Sequence, residues 1–217
     1  MNGLLLVAAS GLARETLVVE QLLERFDSFH VVDDDPDRWG TSLDSVPVVG
    51  GLELVREYAD HAVLVCAGRG AVRRSLVARL AELGVTRDRY ATTVHPAAVV
   101  PPGCDVGAGS IVLAGVVMTA DVRLGDHVVA MPHVTLTHDD AVGDFATLCA
   151  GVTLGGEVSV GEGAYLGMSS SVRERVAIGP DAVLGMGAAL LSDLPAGETW
   201  VGVPARRVAA AARVRSG

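Results

Sequence analysis

A six-residue period in the C-terminal part limits the possible folds of this chain more than any other feature. Every sixth residue is apolar over sixteen cycles, and a glycine often follows it. Four residues after each apolar position the chain usually carries a small or β-branched residue. A fixed period of this length predicts a stacked repeat. The sixteen residues are Val100, Val106, Val112, Met118, Leu124, Ala130, Leu136, Val142, Leu148, Leu154, Val160, Leu166, Val172, Ile178, Leu184 and Leu190.

This period fits a coil of triangular cross-section, in which three six-residue sides make one turn of 18 residues. The large aliphatic residue points inward, the small residue fills the space near a corner, and the two residues between them turn the chain. Strands in neighbouring coils lie about 4.8 Å apart, so five coils form a prism roughly 24 Å long. The predicted corner pairs include Ala108-Gly109, Pro132-His133, Asp144-Phe145, Gly156-Glu157 and Pro180-Asp181.

The N-terminal residues follow a different pattern, in which apolar runs alternate with helical spacing. Strands are predicted at 4–7, 29–32 and 62–66, and helices at 13–25, 51–58 and 72–83. Strands that alternate with helices indicate a small parallel sheet of the Rossmann type.

Composition excludes several functional classes. The net charge of -9 argues against nucleic-acid binding, which requires a basic surface. No apolar run is long enough to span a membrane, and the N-terminus lacks a signal-peptide pattern. Cys66, Cys104 and Cys149 are too far apart in sequence for a metal or redox motif, so we expect buried thiols. The expected location is the cytoplasm.

The repeat resembles the hexapeptide-repeat acyltransferases, and its lack of insertions resembles the sialic acid and bacillosamine group of sugar O- and N-acetyltransferases. The resemblance implies an α/β Rossmann-like small domain followed by an all-β left-handed parallel β-helix. It assigns residues 1–92 to a nucleotide-sugar-binding domain, 93–200 to the β-helix and 201–217 to a C-terminal loop and tail. It also implies a homotrimer with active sites between subunits, acting on a sugar or amino sugar.

Acyl transfer from a thioester requires a base that removes the proton of the attacking group, and histidine has a suitable pKa. The repeat places His138 and Asp139 at the two outward positions of a corner. The segment 137–145 resembles the active-site segment of the family. By that resemblance His138 is the general base and Asp139 modulates it.

The family binds acetyl-CoA or another acyl-CoA along the prism, and no metal is expected. The matching positions in this chain are Thr147, Gly156, Met168 and Met186, and Arg206 matches a closing loop that covers CoA. Thr147 stands where the bacillosamine enzyme has a second active-site histidine.

The family also implies an acceptor site in the N-terminal domain. In the family this site contains a glycine-rich turn, an acidic pair and a Gly-Asn pair, and this chain has residues at the matching positions. Leu12 stands where the bacillosamine enzyme has a histidine that contacts the sugar. His133 replaces a small residue beside the site, and Asp140 occupies an inward position where a charge is costly. The predicted acceptor residues are Ser10, Gly11, Leu12, Asp33, Asp34, Gly68, Arg69 and His133.

The sequence is also compatible with two functions other than acyl transfer. His133 and His138 have the spacing of a histidine pair in the related γ-class carbonic anhydrases, which are metal-dependent hydratases. The replacements at Leu12 and Thr147 are also compatible with a non-catalytic binding or scaffold protein of the same fold.

Overall fold

The computed structural model describes residues 2–208 and places a triangular prism in the C-terminal part of the chain. From residue 105 to 190 a two-residue strand begins every six residues, as predicted. These strands belong to three parallel sheets that form the three faces of the prism. The bounds are β6 Thr93–Val94, β7 Asp105–Val106, β8 Ile111–Val112, β9 Val117–Met118, β10 Arg123–Leu124, β11 Val129–Ala130, β12 Thr135–Leu136, β13 Ala141–Val142, β14 Thr147–Leu148, β15 Thr153–Leu154, β16 Ser159–Val160, β17 Tyr165–Leu166, β18 Ser171–Val172, β19 Ala177–Ile178, β20 Val183–Leu184, β21 Ala189–Leu190, β22 Thr199–Val201 and β23 Arg206–Arg207.

The corner pairs stack into three edges of the prism. Edge 1 contains the pairs 102–103, 120–121, 138–139, 156–157 and 174–175. Edge 2 contains 108–109, 126–127, 144–145, 162–163 and 180–181, and edge 3 contains 114–115, 132–133, 150–151, 168–169 and 186–187. The second residue of most corners has a positive φ, for example 63° at Asp139 and 71° at Gly109. Glycine and aspartate, which tolerate this conformation well, occupy nine of the fifteen positions.

The inward positions form one continuous apolar core along the prism axis. The large aliphatic residues of the period and the small residues near the corners are almost all buried. Asp140 and Ser170 are the polar residues among the inward small positions of the coils between residues 122 and 188. Side chains at equivalent positions of successive coils therefore stack in columns. The residues of one column are mostly of the same type because they have the same surroundings.

The N-terminal unit contains a five-stranded sheet with the order β3-β4-β2-β1-β5. Its strands are β1 Gly3–Val7, β2 Ser28–Val32, β3 Ser42–Leu43, β4 Val46–Gly50 and β5 His61–Val65. All pairs are parallel except β3 with β4, which form an antiparallel edge. The sequence prediction missed this edge. It also assigned residues 51–58 to a helix, whereas the structure has a short 3-10 helix at Leu52–Arg56.

Two α-helices complete this unit, α1 at Gly11–Leu23 and α2 at Gly70–Glu82. Ser10 caps α1, because its Oγ accepts a hydrogen bond from the Ala13 N–H at 3.1 Å. Leu12 and Leu17 lie on the inner face of α1 and pack into the core. Among the described residues, no helix combines the length and apolarity that crossing a membrane requires.

The N-terminal unit packs on edge 2 and on the face between edges 2 and 3. Strand β6 pairs with β8, and Ile111, Leu113 and Val129 of the prism share a core with β1 and α1. The side chain of Glu20 in α1 is fully buried and accepts a hydrogen bond from Thr93 Oγ1 at 2.5 Å. The two parts of the chain are therefore joined by a shared apolar core and by a buried hydrogen bond between side chains.

Arg73 of α2 is the main polar contact at this junction, and its side chain is fully buried. Its five N–H groups donate to six oxygens of the N-terminal unit and the prism at 2.8–3.0 Å, with three of these acceptors sharing the two N–H groups of Nη2. The acceptors include carbonyl groups of His127 and Phe145 at two edge 2 corners. Burial lowers the pKa of Arg73 to about 10, so the group stays charged at neutral pH and needs every acceptor.

The described C-terminal residues close the prism. Strand β22 pairs with β20 and folds back onto β23 as an antiparallel hairpin. Residues 201–208 of the predicted loop and tail belong to this hairpin, and residues 209–217 of that prediction lie outside the described residues.

Replacing Arg73 tests the importance of the junction. We expect Arg73→Met to lower the free energy of unfolding by about 3 kcal/mol or more, because several buried carbonyls lose their donor. The neighbouring Arg74 pairs with Asp181 at 2.9 Å near the surface, so Arg74→Met is a matched control with a loss below about 1 kcal/mol. Urea unfolding followed by circular dichroism measures both, and equal losses would contradict this account.

Candidate active site

His138 and Asp139 occupy an exposed corner on edge 1, as the six-residue period predicts. Their side chains are 59% and 57% exposed. The imidazole Nδ1 lies 2.8 Å from Asp139 Oδ2, which fixes Nδ1 as the protonated nitrogen when this contact is a hydrogen bond. The second ring nitrogen, Nε2, is then left with its lone pair, which is the form a general base requires.

The charges around His138 favour its protonated form. The hydrogen bond to Asp139 is the main reason that the pKa of His138 is raised above its usual value of 6.5. The carboxylates of Asp139, Glu157 and Asp140 act in the same direction through their charge. His138 is therefore a stronger base than an isolated histidine.

Gly156 lies on edge 1 directly beneath His138 in the next coil. A Cβ atom at this position would come within 2.3 Å of His138 Nε2. The ring therefore rests against the backbone of the next corner, and a side chain at position 156 would displace it from this position. Gly156 was predicted to contact the acyl donor, and the structure places it beside the predicted base.

Asp140 follows this corner and its side chain is fully buried. Its Oδ2 accepts a hydrogen bond from the Thr137 N–H at 2.8 Å, and its Oδ1 accepts one from the Val158 N–H at 2.9 Å. Burial raises the pKa of Asp140 to about 6. The carboxyl group thus connects two coils immediately inside the exposed corner.

Met168 and Met186, the predicted donor-binding methionines, are stacked on edge 3. They are 50% and 71% exposed, which is unusual for apolar side chains of this size. His133 lies on the same edge and is also exposed. The structure therefore separates these three residues from His138, which lies on edge 1.

Thr147 does not lie on this surface in the single chain, and its predicted place in the donor site stays a prediction. The side chain is 1% exposed and lies beneath the N-terminal unit. Its Oγ1 donates a hydrogen bond to the Gly68 carbonyl at 3.1 Å and accepts one from Arg73 at 3.0 Å. The threonine is a junction residue because the N-terminal unit covers the face that contains β14.

Arg206 is exposed on the closing hairpin, and its Nη1 donates a hydrogen bond to the Ala205 carbonyl. The hairpin lies beyond the last complete coil, next to β20. The side chain is therefore placed at the end of the prism that follows Met186, with most of its donors facing solvent.

The predicted acidic pair lies at the carboxyl ends of β1 and β2, beside a cavity of 180 Å³. Val7, Val32, Leu52 and Leu76 give this cavity apolar walls, and Asp33 and Asp34 line its mouth.

Each acid of the pair has a partner. Asp33 Oδ2 accepts a hydrogen bond from the Ala9 N–H, whereas Asp34 pairs with Arg79 of α2. Ligands of open α/β sheets bind at such strand ends, so the position suits a nucleotide.

The other residues predicted for the acceptor divide into two groups. Ser10 Oγ donates to the Cys66 carbonyl and Gly11 opens α1, so both belong to the turn after β1. Leu12 is buried in the core on the inner face of α1, and its contact with substrate stays a prediction. A histidine would be costly at a position with this burial, which explains the leucine.

Arg69 lines a larger cleft of 670 Å³ between α2 and the prism, and Gly68 directly precedes it in the turn before α2. Arg69 is exposed and makes no side-chain cap for α2. The prism side of the cleft contains Tyr165 and Val183 of the face between edges 2 and 3. Tyr165 was not among the predicted site residues, although an aromatic residue at an outward strand position is a signal that could have identified it.

The other corner histidine, His127, has a different environment from His138. It lies on edge 2, is 4% exposed, and stacks on Phe145 with ring centroids 5.2 Å apart. Burial lowers the pKa of His127 to about 4, so it is neutral. His127, His133 and His138 lie on three different edges, and residues 2–208 contain no cluster of three or more potential metal ligands.

The predicted residues therefore form three separate groups in one chain. The base corner lies on edge 1, the exposed methionines lie on edge 3, and the acceptor cavities lie at and beside the N-terminal unit. In a triangular cross-section, edge 1 is opposite the face that the N-terminal unit covers. A single chain does not bring His138 to either of its own clefts.

Comparison with solved structures identifies proteins with the same overall arrangement. The acetyltransferase domain of PglB from Neisseria gonorrhoeae FA1090 matches with a TM-score of 0.88 and 26% identity, over 96% of this chain and 100% of that chain. The same domain in complex with acetyl coenzyme A matches at 27% identity and a TM-score of 0.87, over 95% of this chain and 99% of that one. No protein-family profile matches the chain, and no curated protein matches it.

A mutant of perosamine N-acetyltransferase from Caulobacter crescentus, solved with CoA and GDP-perosamine, matches at 30% identity with a TM-score of 0.88. This match covers 96% of this chain and 98% of the other. The architecture is mostly parallel sheet with few helices and matches the left-handed β-helix acetyltransferase fold. This chain belongs to the hexapeptide-repeat sugar acetyltransferases.

Proposed function

We propose that this protein transfers an acyl group from acetyl-CoA or another acyl-CoA to a nucleotide-linked sugar, with His138 as the general base. The observation that carries the proposal is the His138–Asp139 pair, which the repeat holds on an exposed corner with Nδ1 2.8 Å from the carboxylate. The solved neighbours with bound acetyl coenzyme A, CoA and GDP-perosamine support the choice of donor and acceptor.

The proposed reaction begins when an amino or hydroxyl group of the sugar attacks the thioester carbonyl carbon. His138 Nε2 removes the proton of the attacking group as the new bond forms, and Asp139 stabilises the resulting imidazolium. The tetrahedral intermediate then collapses, the carbon–sulfur bond breaks, and CoA leaves as the thiol after it takes up a proton. The similarity to perosamine N-acetyltransferase favours an amino group as the acceptor.

We infer that the active site lies between subunits of a homotrimer. The support is the separation of the base on edge 1 from the exposed methionines on edge 3. In a ring of three prisms, edge 1 of one subunit meets the edge 3 side of its neighbour, and the acyl donor lies between them. Exposed apolar side chains such as Met186 also indicate an interface.

We further propose that the N-terminal unit, residues 1–92, is a Rossmann-like acceptor domain. The support is the cavity at the ends of β1 and β2, with Asp33 and Asp34 at its mouth and Ser10 and Gly11 in the adjacent turn. Gly68 and Arg69 at the start of α2 offer backbone donors and a guanidinium to a diphosphate. CoA thioesters and nucleotide sugars are cytoplasmic metabolites, which favours a cytoplasmic location.

Replacing His138 tests the proposed base directly. We expect His138→Ala to lower kcat by about a hundredfold or more, since general-base catalysis commonly contributes that much. The assay measures thiol release from acetyl-CoA with a panel of nucleotide-linked amino sugars that includes GDP-perosamine. His95→Ala, which removes a histidine from the start of the prism, is the control with unchanged kcat. Full activity of His138→Ala would exclude the proposed role, and an inactive wild-type protein would favour a binding or scaffold function.

The pH dependence of turnover tests the role of Asp139. The base acts only when neutral, so activity falls as the pH drops below the pKa of His138. Because Asp139 raises this pKa, we expect Asp139→Asn to shift the acidic limb of the kcat profile to lower pH and to reduce the maximum. An unshifted limb would show that Asp139 does not control the basicity of His138.

Arg69 tests the proposed acceptor site independently of the chemistry. We expect Arg69→Ala to weaken the binding of a nucleotide sugar about tenfold, because one charge-assisted contact to the diphosphate is lost, and to leave acetyl-CoA binding unchanged. Isothermal titration calorimetry measures both ligands separately. Arg87→Ala removes an arginine that pairs with Asp126 and serves as the control. A loss of acetyl-CoA affinity in Arg69→Ala would contradict this assignment.

A further inference from the structure

The backbone hydrogen bonds between coils are interrupted directly beside the corner that carries His138. Strands β12 and β15 pair only through Thr135 and Thr153, whereas β12 and β9 pair through two residues. At the equivalent position one coil earlier, the Thr119 N–H donates to the Leu136 carbonyl at 3.1 Å. The Thr137 N–H donates to Asp140 Oδ2 instead.

Asp140 causes this interruption by replacing an apolar residue in its column. The other members of the column on edge 1 are all apolar: Cys104, Val122, Val158, Val176 and Leu194. The carboxyl group of Asp140 is fully buried and accepts from both Thr137 and Val158. The Leu154 carbonyl, which loses its backbone donor, accepts a hydrogen bond from Thr137 Oγ1 at 3.1 Å.

The two donors of Asp140 lie on either side of the His138 site. Thr137 immediately precedes His138, and Val158 follows the Gly156-Glu157 corner on which the imidazole rests. One carboxyl group therefore ties the backbone that carries the base to the backbone that supports its ring. The remaining coil-to-coil bond at this corner, from the Glu157 N–H to the His138 carbonyl, is an ordinary backbone bond of 2.9 Å.

We propose that Asp140 is a positioning residue for acyl transfer, which opens the prism ladder at this corner and holds His138 in its working orientation over Gly156. This inference rests on the proposed role of His138 as the base. Burial of a carboxyl group reduces stability, and the column has valine one coil before Asp140 and one coil after it. This loss of stability occurs only at the corner that carries the proposed base. A destabilising residue at such a place is expected to serve function.

The charged groups that face this corner are few. The side chains that influence His138 are Asp139, Glu157 and Asp140, and those that influence Asp140 are His138 and Asp139. Removing the carboxylate of Asp140 therefore lowers the pKa of His138 but leaves the larger effect of Asp139 in place.

The test compares Asp140→Val, which restores the residue type of the column, with Asp140→Asn, which retains one acceptor oxygen. Val176→Ala, in the same column two coils away, is the structural control. We expect Asp140→Val to be at least as stable as the wild type at pH 7.5, and to reduce kcat about tenfold with an unchanged KM for acetyl-CoA. Asp140→Asn should be intermediate, whereas Val176→Ala should lower the Tm and keep the wild-type kcat.

The pH dependence of stability gives an independent check. The pKa of Asp140 is about 6 in the folded protein and 3.8 without burial. Its ionisation therefore lowers the stability of the wild type progressively between these two pH values, and the loss is complete above the higher one. The stability gain of Asp140→Val is therefore expected to grow between pH values of about 4 and 6 and to stay constant above. A Tm difference that is independent of pH would show that the buried carboxyl group does not ionise as proposed.

The His138 titration, followed by NMR and assigned with His138→Ala, separates failure of this inference from failure of the proposed function. It requires no acceptor, so it is measurable whether or not acyl transfer is found. We expect a lower His138 pKa and a shifted ring signal in Asp140→Val. An unchanged titration and ring signal in Asp140→Val would overturn the positioning role, even if His138 proves to be the base. Activity retained by His138→Ala would overturn the proposed function and, with it, this role.

Discussion

Hydrogen bonds between successive coils determine nearly everything else in this protein. Each strand of the prism pairs with strands 18 residues before and after it, so every position of the period is repeated in register. Inward positions are then apolar with few exceptions such as Asp140, corner positions turn the chain, and corner side chains lie outside the core of the prism. These hydrogen bonds between coils place His138 and Asp139 in solvent and stack Met168 over Met186 on another edge. The regular coils alone therefore present these side chains, and no inserted loop is required.

The sequence was sufficient to predict this architecture because the period is local and repeats many times. The strands, the corner pairs and the exposure of His138 all follow from counting in sixes. The antiparallel edge formed by β3 and β4 was missed because these strands are short and one contains Pro47. Periodicity carries no information for elements that occur once.

The contacts between the two parts of the chain were not predictable in the same way. Leu12, Thr147 and His127 occupy positions that suggest a ligand contact or a free corner, yet the N-terminal unit buries all three. Arg73 makes the central polar contact of the junction, and its helix position gives no sign of this. Burial by a distant part of the chain depends on docking geometry, which a single sequence does not specify.

The separation of edge 1 from edge 3 supports our central proposal, that the base and the donor surface of one active site come from different subunits. Co-expression of two inactive variants tests this proposal most directly. One variant is His138→Ala, and the other combines Met168→Glu with Met186→Glu. Both methionine side chains are exposed, so the charged replacements are compatible with folding. Mixed oligomers contain some sites that combine an intact base with an intact donor surface. We expect thiol release from acetyl-CoA by the mixture and almost none by either variant alone. A mixture as inactive as its components would contradict an active site shared between subunits.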